Sequence, residues 1–193
     1  PNDAPHLLER LAAEQPGQRI QTSVRQALQR QTQALVNRYA REYSSNHIHN
    51  LAAIVADVET GEVLAYAGNA TYPADERRGN QVDIITSPRS TGSILKPFLY
   101  AGMLHDGLLL PSMLVSDVPL NINGFSPHNY NKTFYGAVPA HVAIERSLNV
   151  PLVRMLSQYN TGRFMSLLKS WGMTTLRFSE EHYGASLILG GAE

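Results

Sequence analysis

Two serine-lysine pairs, each with a spacing of three residues, offer the chemistry of an activated serine. Ser93 and Lys96 lie where a turn-forming Thr91-Gly92 leads into an apolar run, and Ser166 and Lys169 lie inside a second apolar segment. Three residues are about one helical turn, so the hydroxyl and the amine can share one face and exchange a proton. A serine hydroxyl needs such a base to attack a carbonyl at neutral pH. Because serine and lysine are common, chance alone can supply one of these pairs.

The surroundings of the two pairs differ. Ser93 follows a turn and is followed by Pro97, a residue that helices accept only in their first turn. The helix after Ser93 is so apolar that it predicts a buried Lys96 with a lowered pKa, as a base near neutral pH requires. Ser166 falls within a helical pattern with no turn before it, which favours a structural role. The context therefore favours Ser93 over Ser166 as a candidate nucleophile, with Lys96 as its base.

A second constellation, Ser147-Leu148-Asn149, falls between two helical patterns, and Pro151 marks the start of the second. Side chains two residues apart in a turn can point into one cleft. The Ser147 hydroxyl could then relay a proton, and the Asn149 amide could hold a substrate carbonyl. The same spacing occurs at 44–46, which we interpret as the stop of a long helix.

Hydrophobic periodicity predicts the elements that position these groups. The segment 51–58, a turn with glycine, and the segment 63–68 indicate a β-hairpin. The remaining predictions are a short helix at 7–13, a long helix capped by Thr22 or Ser23 and running to about residue 43 with Val24, Leu28, Leu35 and Tyr39 on one side, a loop at 69–92, a buried helix at 93–107, an irregular segment at 111–138, and helices at 140–146, 150–159 and 162–172.

Composition limits the possible functions. Of the 193 residues, 43% are hydrophobic, which predicts a real core, and 16 basic residues balance 16 acidic ones, which gives no case for nucleic acid as a partner. No run approaches the roughly 20 apolar residues that span a bilayer, so we expect a soluble segment. There is no cysteine, and His47 with His49 lacks a third ligand nearby, so we predict neither a metal nor a cofactor.

The motifs, taken with their flanks, resemble a known family. Ser93-Ile94-Leu95-Lys96 and Ser147-Leu148-Asn149 resemble the first two of the three active-site motifs of penicillin-binding proteins and serine β-lactamases. The order of the flanking segments resembles the transpeptidase domain of bifunctional class A penicillin-binding proteins, and the lead-in 88–93 is most similar to the 1C subgroup. The segments that carry the resemblance are 60–65, 92–98, 127–130 with 135–136, and 146–151.

The resemblance implies a D,D-transpeptidase that cross-links peptidoglycan stem peptides and is acylated by β-lactams, without a cofactor. Ser93 would attack, Lys96 would be the base, and Ser147 would pass the proton to the leaving D-alanine. Asn149 and Tyr130 would contact the peptide, and the Ser93 backbone N–H would be one oxyanion donor. The parent protein would be membrane-anchored with this segment on the periplasmic side, and would also carry a glycosyltransferase domain.

The family's third motif, Lys-Thr-Gly, has no counterpart here. Lys132-Thr133-Phe134 is the nearest approach and lacks the glycine. That motif supplies a cation and an oxyanion donor, and losing one such donor costs roughly a hundredfold in rate. We therefore expect a piece of a longer protein that is inactive alone. The alternatives are a serine β-lactamase, a β-lactam-sensing domain, and a non-catalytic structural or interaction module.

The resemblance also implies the fold. We predict an α+β architecture of the β-lactamase/transpeptidase type, truncated to the N-terminal hairpin strands and the helical half and lacking the C-terminal sheet strands. Residues 1–20 would be a linker, and residues 21–193 would form a partial transpeptidase domain.

Overall fold

The computed structural model describes residues 3–71 and 76–193. The chain forms two compact units, Pro1–Ser87 and Pro88–Glu193. Within the described residues, helices accompany two separate two-stranded antiparallel sheets, which confirms the α+β class. The division into a linker over 1–20 and a partial domain over 21–193 stays a prediction. No helix in this described part is long and apolar enough to cross a bilayer.

The first unit places a hairpin against a long helix. The hairpin is confirmed, with Ile54 paired to Tyr66. Its turn is closed by Asp57, whose carboxylate accepts the backbone N–H groups of Glu59 and Thr60 at 3.0 and 2.9 Å, respectively. The elements are α1 (Pro5–Glu14), α2 (Gln26–Glu42), a 3-10 turn (Tyr43–Asn46), β1 (Ala53–Ala56), β2 (Val63–Ala67) and a 3-10 turn (Glu76–Arg78).

The predictions of the cap and of the buried face of α2 were wrong. The helix begins at Gln26 without a side-chain cap, because the Ser23 hydroxyl donates instead to the Val63 carbonyl at 2.8 Å. Leu35 is 49% exposed, whereas Gln29 is buried. The Gln29 amide donates to the Tyr66 carbonyl at 3.0 Å and accepts from the Tyr66 N–H at 2.7 Å. These two bonds to the β2 backbone satisfy the hydrogen-bonding groups of the Gln29 side chain. A polar residue can therefore occupy the face of α2 that packs against the hairpin.

The second unit contains all of the predicted site residues. Its helices lie close to the predicted segments, but the segment 111–138, predicted to be irregular, contains β3 and the start of β4. These strands pair around the buried Val115 and Val138. The elements are α3 (Lys96–His105), β3 (Leu114–Asp117), β4 (Gly136–Pro139), α4 (Ala140–Glu145), α5 (Asn149–Tyr159), α6 (Thr161–Ser170), α7 (Glu180–Tyr183) and a 3-10 segment (Gly184–Leu189).

The core of this unit forms around α5. Leu152 and Val153 are fully buried, and they share one apolar cluster with Leu99 and Met103 of α3. Burying one such side chain contributes roughly 1.5–3 kcal/mol. The packing of α3 and α5 into one core fixes where the first turn of each helix lies, and those two turns carry the candidate site.

Candidate active site

Lys96 is the first residue of α3 and is only 1% exposed. Its amine donates to the Ser147 carbonyl at 2.7 Å, to the Ser147 hydroxyl at 3.1 Å and to the Asn149 side-chain oxygen at 2.7 Å. An ammonium has three N–H donors, and each one here has an acceptor. The structure therefore joins three of the predicted site residues through one nitrogen.

Burial sets the protonation of this lysine. Desolvation disfavours the charged amine and lowers the pKa of Lys96 to about 8. At neutral pH a substantial minority of the molecules then carries a neutral amine, which can accept a proton. This is the lowered pKa that the apolar pattern of α3 predicted.

Ser93 lies in the turn that leads into α3. The prediction placed it in the first helical turn, but the helix begins at Lys96. The backbone N–H of Ile94 bonds to the Thr91 carbonyl at 3.0 Å, and that of Lys96 bonds to the Ser93 carbonyl at 3.2 Å, so the chain turns more tightly than an α-helix. Gly92, with a φ of 52°, starts this turn in the left-handed region.

The Ser93 side chain is exposed to solvent. Among the described residues, neither its hydroxyl nor its backbone N–H makes a hydrogen bond within the chain, and Lys96 directs its donors to Ser147 and Asn149 instead. An unbonded N–H beside an exposed hydroxyl can donate to the oxygen of a carbonyl under attack. The Lys96 amine makes no hydrogen bond to the Ser93 hydroxyl among the contacts of these described residues.

Ser147, Leu148 and Asn149 form the connection between α4 and α5. Ser147 is exposed and has a φ of 50°, an unusual value for a residue with a side chain. The buried Leu148 anchors the connection in the core. Asn149 opens α5, and its amide donates to the His128 carbonyl at 2.8 Å, which orients its oxygen toward Lys96. The strained turn is held by contacts on both sides.

Two buried residues that sequence reasoning missed support this connection. The Asn129 side-chain oxygen accepts the N–H groups of Asn149 and Val150 at 2.9 and 3.2 Å, respectively, and so caps α5. Its amide donates to both oxygens of the fully buried Asp117, at 2.9 and 3.0 Å. The available signal was the segment 127–130, which carried the family resemblance but did not indicate that Asn129 caps a helix.

Tyr130 stands apart from these bonds. Its side chain is fully exposed and lines a cavity of about 410 Å³ together with Ser147. The structure therefore places Tyr130 at the same cavity as Ser147, whereas the buried Lys96 does not line that cavity.

The chance matches form no second site. The Ser166 hydroxyl donates to the Gly162 carbonyl at 3.0 Å inside α6, a local bond that agrees with its predicted structural role. Residues 44–46 end the long helix in a 3-10 turn. The nearer ring nitrogen of His49 lies 2.8 Å from Arg78, and no cluster of three potential metal ligands exists within residues 3–71 and 76–193. Lys132 is an exposed loop residue.

The fold is shared with solved penicillin-binding proteins. The 2.6 Å crystal structure of penicillin-binding protein 1A from Haemophilus influenzae matches 74% of this chain and 21% of its own, with a TM-score of 0.60 and 24% identity. PonA1 from Mycobacterium tuberculosis matches 97% of this chain and 51% of its own, with a TM-score of 0.67 and 19% identity. Its complex with penicillin V matches 96% and 51%, respectively, with a TM-score of 0.65 and 20% identity. The fold is that of penicillin-binding protein transpeptidase domains.

Sequence comparison gives the family. A profile of the penicillin binding protein transpeptidase domain matches residues 51–188, and the chain belongs to that family, in its class A branch. Penicillin-binding protein 1C of Escherichia coli (strain K12) is 33% identical over 192 residues, which cover all of this chain and 24% of that protein. Penicillin-binding protein 1A of Rickettsia felis is 26% identical over 151 residues, 75% of this chain and 18% of its own. The chain thus spans about a quarter of the 1C relative.

Proposed function

We propose that this protein catalyses acyl transfer from a peptidoglycan stem peptide, with Ser93 as the nucleophile. The observation that carries the proposal is the Lys96 amine, which is buried at the start of α3 and hydrogen-bonded to both Ser147 and Asn149. A buried amine whose pKa is lowered toward neutrality can act as a base, and here it bonds to the Ser147 hydroxyl and follows the exposed Ser93 by three residues.

The chemistry proceeds in two halves. The Ser93 oxygen attacks the carbonyl carbon between the two terminal D-alanines, and its proton passes to the neutral Lys96 amine. The Ser93 N–H donates to the developing oxyanion. The carbon–nitrogen bond then breaks, the leaving D-alanine nitrogen takes a proton from Lys96 through the Ser147 hydroxyl, and an ester on Ser93 remains.

The second half returns the serine. An amine of another stem peptide attacks the ester carbon and loses a proton to the Ser147–Lys96 relay. The ester carbon–oxygen bond then breaks, the new amide remains, and Lys96 returns the proton to the Ser93 oxygen. In this scheme the Asn149 amide and Tyr130 contact the peptide. A β-lactam carbonyl enters the first half in place of the peptide and leaves a long-lived ester, in keeping with the penicillin V complex of PonA1.

The setting of this reaction is also part of the proposal. The substrate lies in the cell wall, so the chain works on the extracytoplasmic side of the inner membrane, in a parent protein with a membrane anchor and a glycosyltransferase domain. That this chain alone lacks turnover, for want of a Lys-Thr-Gly motif, stays a prediction, and the test below measures only the first half of the reaction, the acylation of Ser93.

The test is incubation of the purified protein with a fluorescent penicillin, followed by intact mass and peptide mapping. We expect one adduct, on Ser93, that Ser93→Ala abolishes. Ser166→Ala is the matched control and is expected to retain the adduct, because the Ser166 hydroxyl donates to the Gly162 carbonyl within its own helix. The absence of an adduct, or an adduct on another residue, contradicts the proposal. An ester that is hydrolysed within seconds favours a β-lactamase instead.

A further inference from the structure

The cavity beside Ser147 contains a cation and an aromatic ring, Arg146 and Tyr135, to which the proposed reaction gives no role. It measures about 410 Å³ and belongs entirely to the second unit. Its wall combines one cation, two phenols, two amides and a hydroxyl. The lining residues are Asn129, Tyr130, Asn131, Tyr135, Arg146, Ser147 and Leu148.

Arg146 supplies the cation. It is exposed, it directly precedes Ser147, and its guanidinium carbon lies 5.5 Å from the centre of the Tyr135 ring. Within residues 3–71 and 76–193, no carboxylate forms an ion pair with Arg146. A guanidinium stays charged at all physiological pH values and offers a planar pair of donors that fits a carboxylate. Among the described residues, the positive charge of Arg146 on the cavity wall therefore has no carboxylate partner.

Hydrogen bonds hold Asn131 and Tyr135 in place on the wall of the cavity. The Asn131 amide donates to the Tyr135 hydroxyl at 2.8 Å, and the Tyr135 backbone N–H donates to Asp117 at 2.9 Å. Asp117 is the buried carboxylate that also holds Asn129. Hydrogen bonds from Thr133 and Asn131, together with the charge of Arg146, lower the pKa of Tyr135, which agrees with a guanidinium close to this ring. The same network that caps α5 thus fixes the position of the aromatic ring under Arg146.

We infer that this cavity binds a carboxylate carried by a side chain of the peptide substrate, with Arg146 as its counter-ion and Tyr135 as the platform that holds the guanidinium. The inference rests on the proposed function for the identity of the substrate as a peptide. One fixed cation flanked by neutral donors matches a group with a single negative charge. The cavity adjoins the Ser147 hydroxyl, so a peptide held at the site can reach it with a neighbouring residue.

The test compares two peptides that differ in one carboxylate. Fluorescein-labelled L-Glu-D-Ala-D-Ala and L-Gln-D-Ala-D-Ala are titrated with the Ser93→Ala protein, which cannot be acylated at Ser93, and binding is followed by fluorescence anisotropy. We expect the glutamate peptide to bind about fivefold more tightly, as a charge-assisted contact at a solvent-exposed site would give. Adding Arg146→Gln is expected to bring this ratio to about one.

Lys132→Gln is the matched control. It removes one positive charge from the same loop region, and Lys132 does not line the cavity. It should leave the fivefold ratio in place, and circular dichroism checks that each variant is folded. A ratio near one in the protein with Arg146 intact overturns the inference, and so does an equal loss of selectivity in Lys132→Gln, because the effect would then be a general one of charge.

The penicillin experiment separates this inference from the proposed function. If Ser93 forms no penicillin adduct but the glutamate peptide is preferred through Arg146, the proposed reaction fails and the carboxylate site stands. If the adduct forms and the preference is absent, the reaction stands and the carboxylate site fails.

Discussion

The burial of Lys96 predicts a definite pH dependence for the acylation of Ser93. Only the neutral amine can accept the Ser93 proton, and burial lowers the pKa of Lys96 to about 8. The acylation rate should therefore rise with pH and level off above about pH 9. Because the three oxygens around the amine are uncharged acceptors, no carboxylate among them opposes this lowering.

The size of the rise distinguishes a buried amine from an ordinary one. With a pKa of about 8, about one tenth of the amine is neutral at pH 7 and about nine tenths at pH 9, so the rate increases about tenfold and then reaches a plateau. A lysine with an ordinary pKa of about 10.4 would give an increase of about a hundredfold over the same interval, with no plateau.

The assay is stopped-flow acylation by a fluorescent penicillin between pH 6 and pH 10. Asn149→Asp places a carboxylate at the position of an oxygen that lies 2.7 Å from the amine, and should move the midpoint to higher pH because an opposite charge favours the ammonium. Lys169→Met is the matched control and should leave the midpoint at about 8. A hundredfold rise without a plateau would refute the reasoning, as would a midpoint that Asn149→Asp does not move.

The same lowered pKa predicts a pH dependence of stability. Between pH 8 and pH 10.5 the unfolded chain binds a proton at Lys96 that the folded chain has lost, so the free energy of unfolding should rise with pH in this window. The lowering from 10.5 to about 8 corresponds to about 3 kcal/mol. Urea unfolding of the native protein and of Lys96→Met, each at pH 7.5 and pH 10.5, measures the difference. A difference that stays constant across the window contradicts the lowered pKa.

Two further substitutions test the supports of the site. Asn129→Ala removes the cap of α5 and leaves buried polar groups unpaired, so it should lower the free energy of unfolding by about 2–4 kcal/mol and slow acylation. Its control, Asn131→Ala on the exposed loop, should lower the free energy of unfolding by less than about 1 kcal/mol. Gly190→Ala would bring a Cβ within 2.7 Å of the Ser90 hydroxyl, in the lead-in to Ser93, and should destabilise more than Gly172→Ala, which has a similar positive φ but open space. Urea unfolding measures the free energy of unfolding for both pairs. Equal losses in Asn129→Ala and Asn131→Ala would contradict the capping role of Asn129, and equal losses in the two glycine variants would contradict the close contact at Gly190.

The candidate site could be predicted from the sequence where its chemistry is local. Lys96 follows Ser93 by three residues, and the apolar residues after it already indicated burial and a lowered pKa. The position of Ser93 in a turn rather than a helix was not predictable from spacing, because Gly92 allows either a tight turn or a helix start. Asp117 could not be found, since its role depends on Asn129, which lies twelve residues further along the chain.

In the fold too, features with local causes were predictable, and features that depend on distant partners were not. The hairpin of β1 and β2 was predictable because a turn with Gly61 joins two apolar runs. The inward face of α2 was not, because Gln29 is buried only through its two bonds to the backbone of Tyr66, a partner 37 residues away. Strand β3 was missed for a related reason, since its partner β4 lies beyond a long loop rich in turn-forming residues.

The site also ties catalysis to the folding of the second unit. The bonds from Lys96 to Ser147 and Asn149 span 51 and 53 residues, and the bond from Asn149 to Asn129 spans 20. None of these contacts can form within an isolated helix or turn, so the amine is buried and its pKa lowered only when α3, the α4–α5 connection and the 127–130 loop have packed together. A change that loosens this packing exposes Lys96 and returns its pKa toward the ordinary value. Such a change removes the neutral base even though Ser93 and Lys96 themselves remain unaltered.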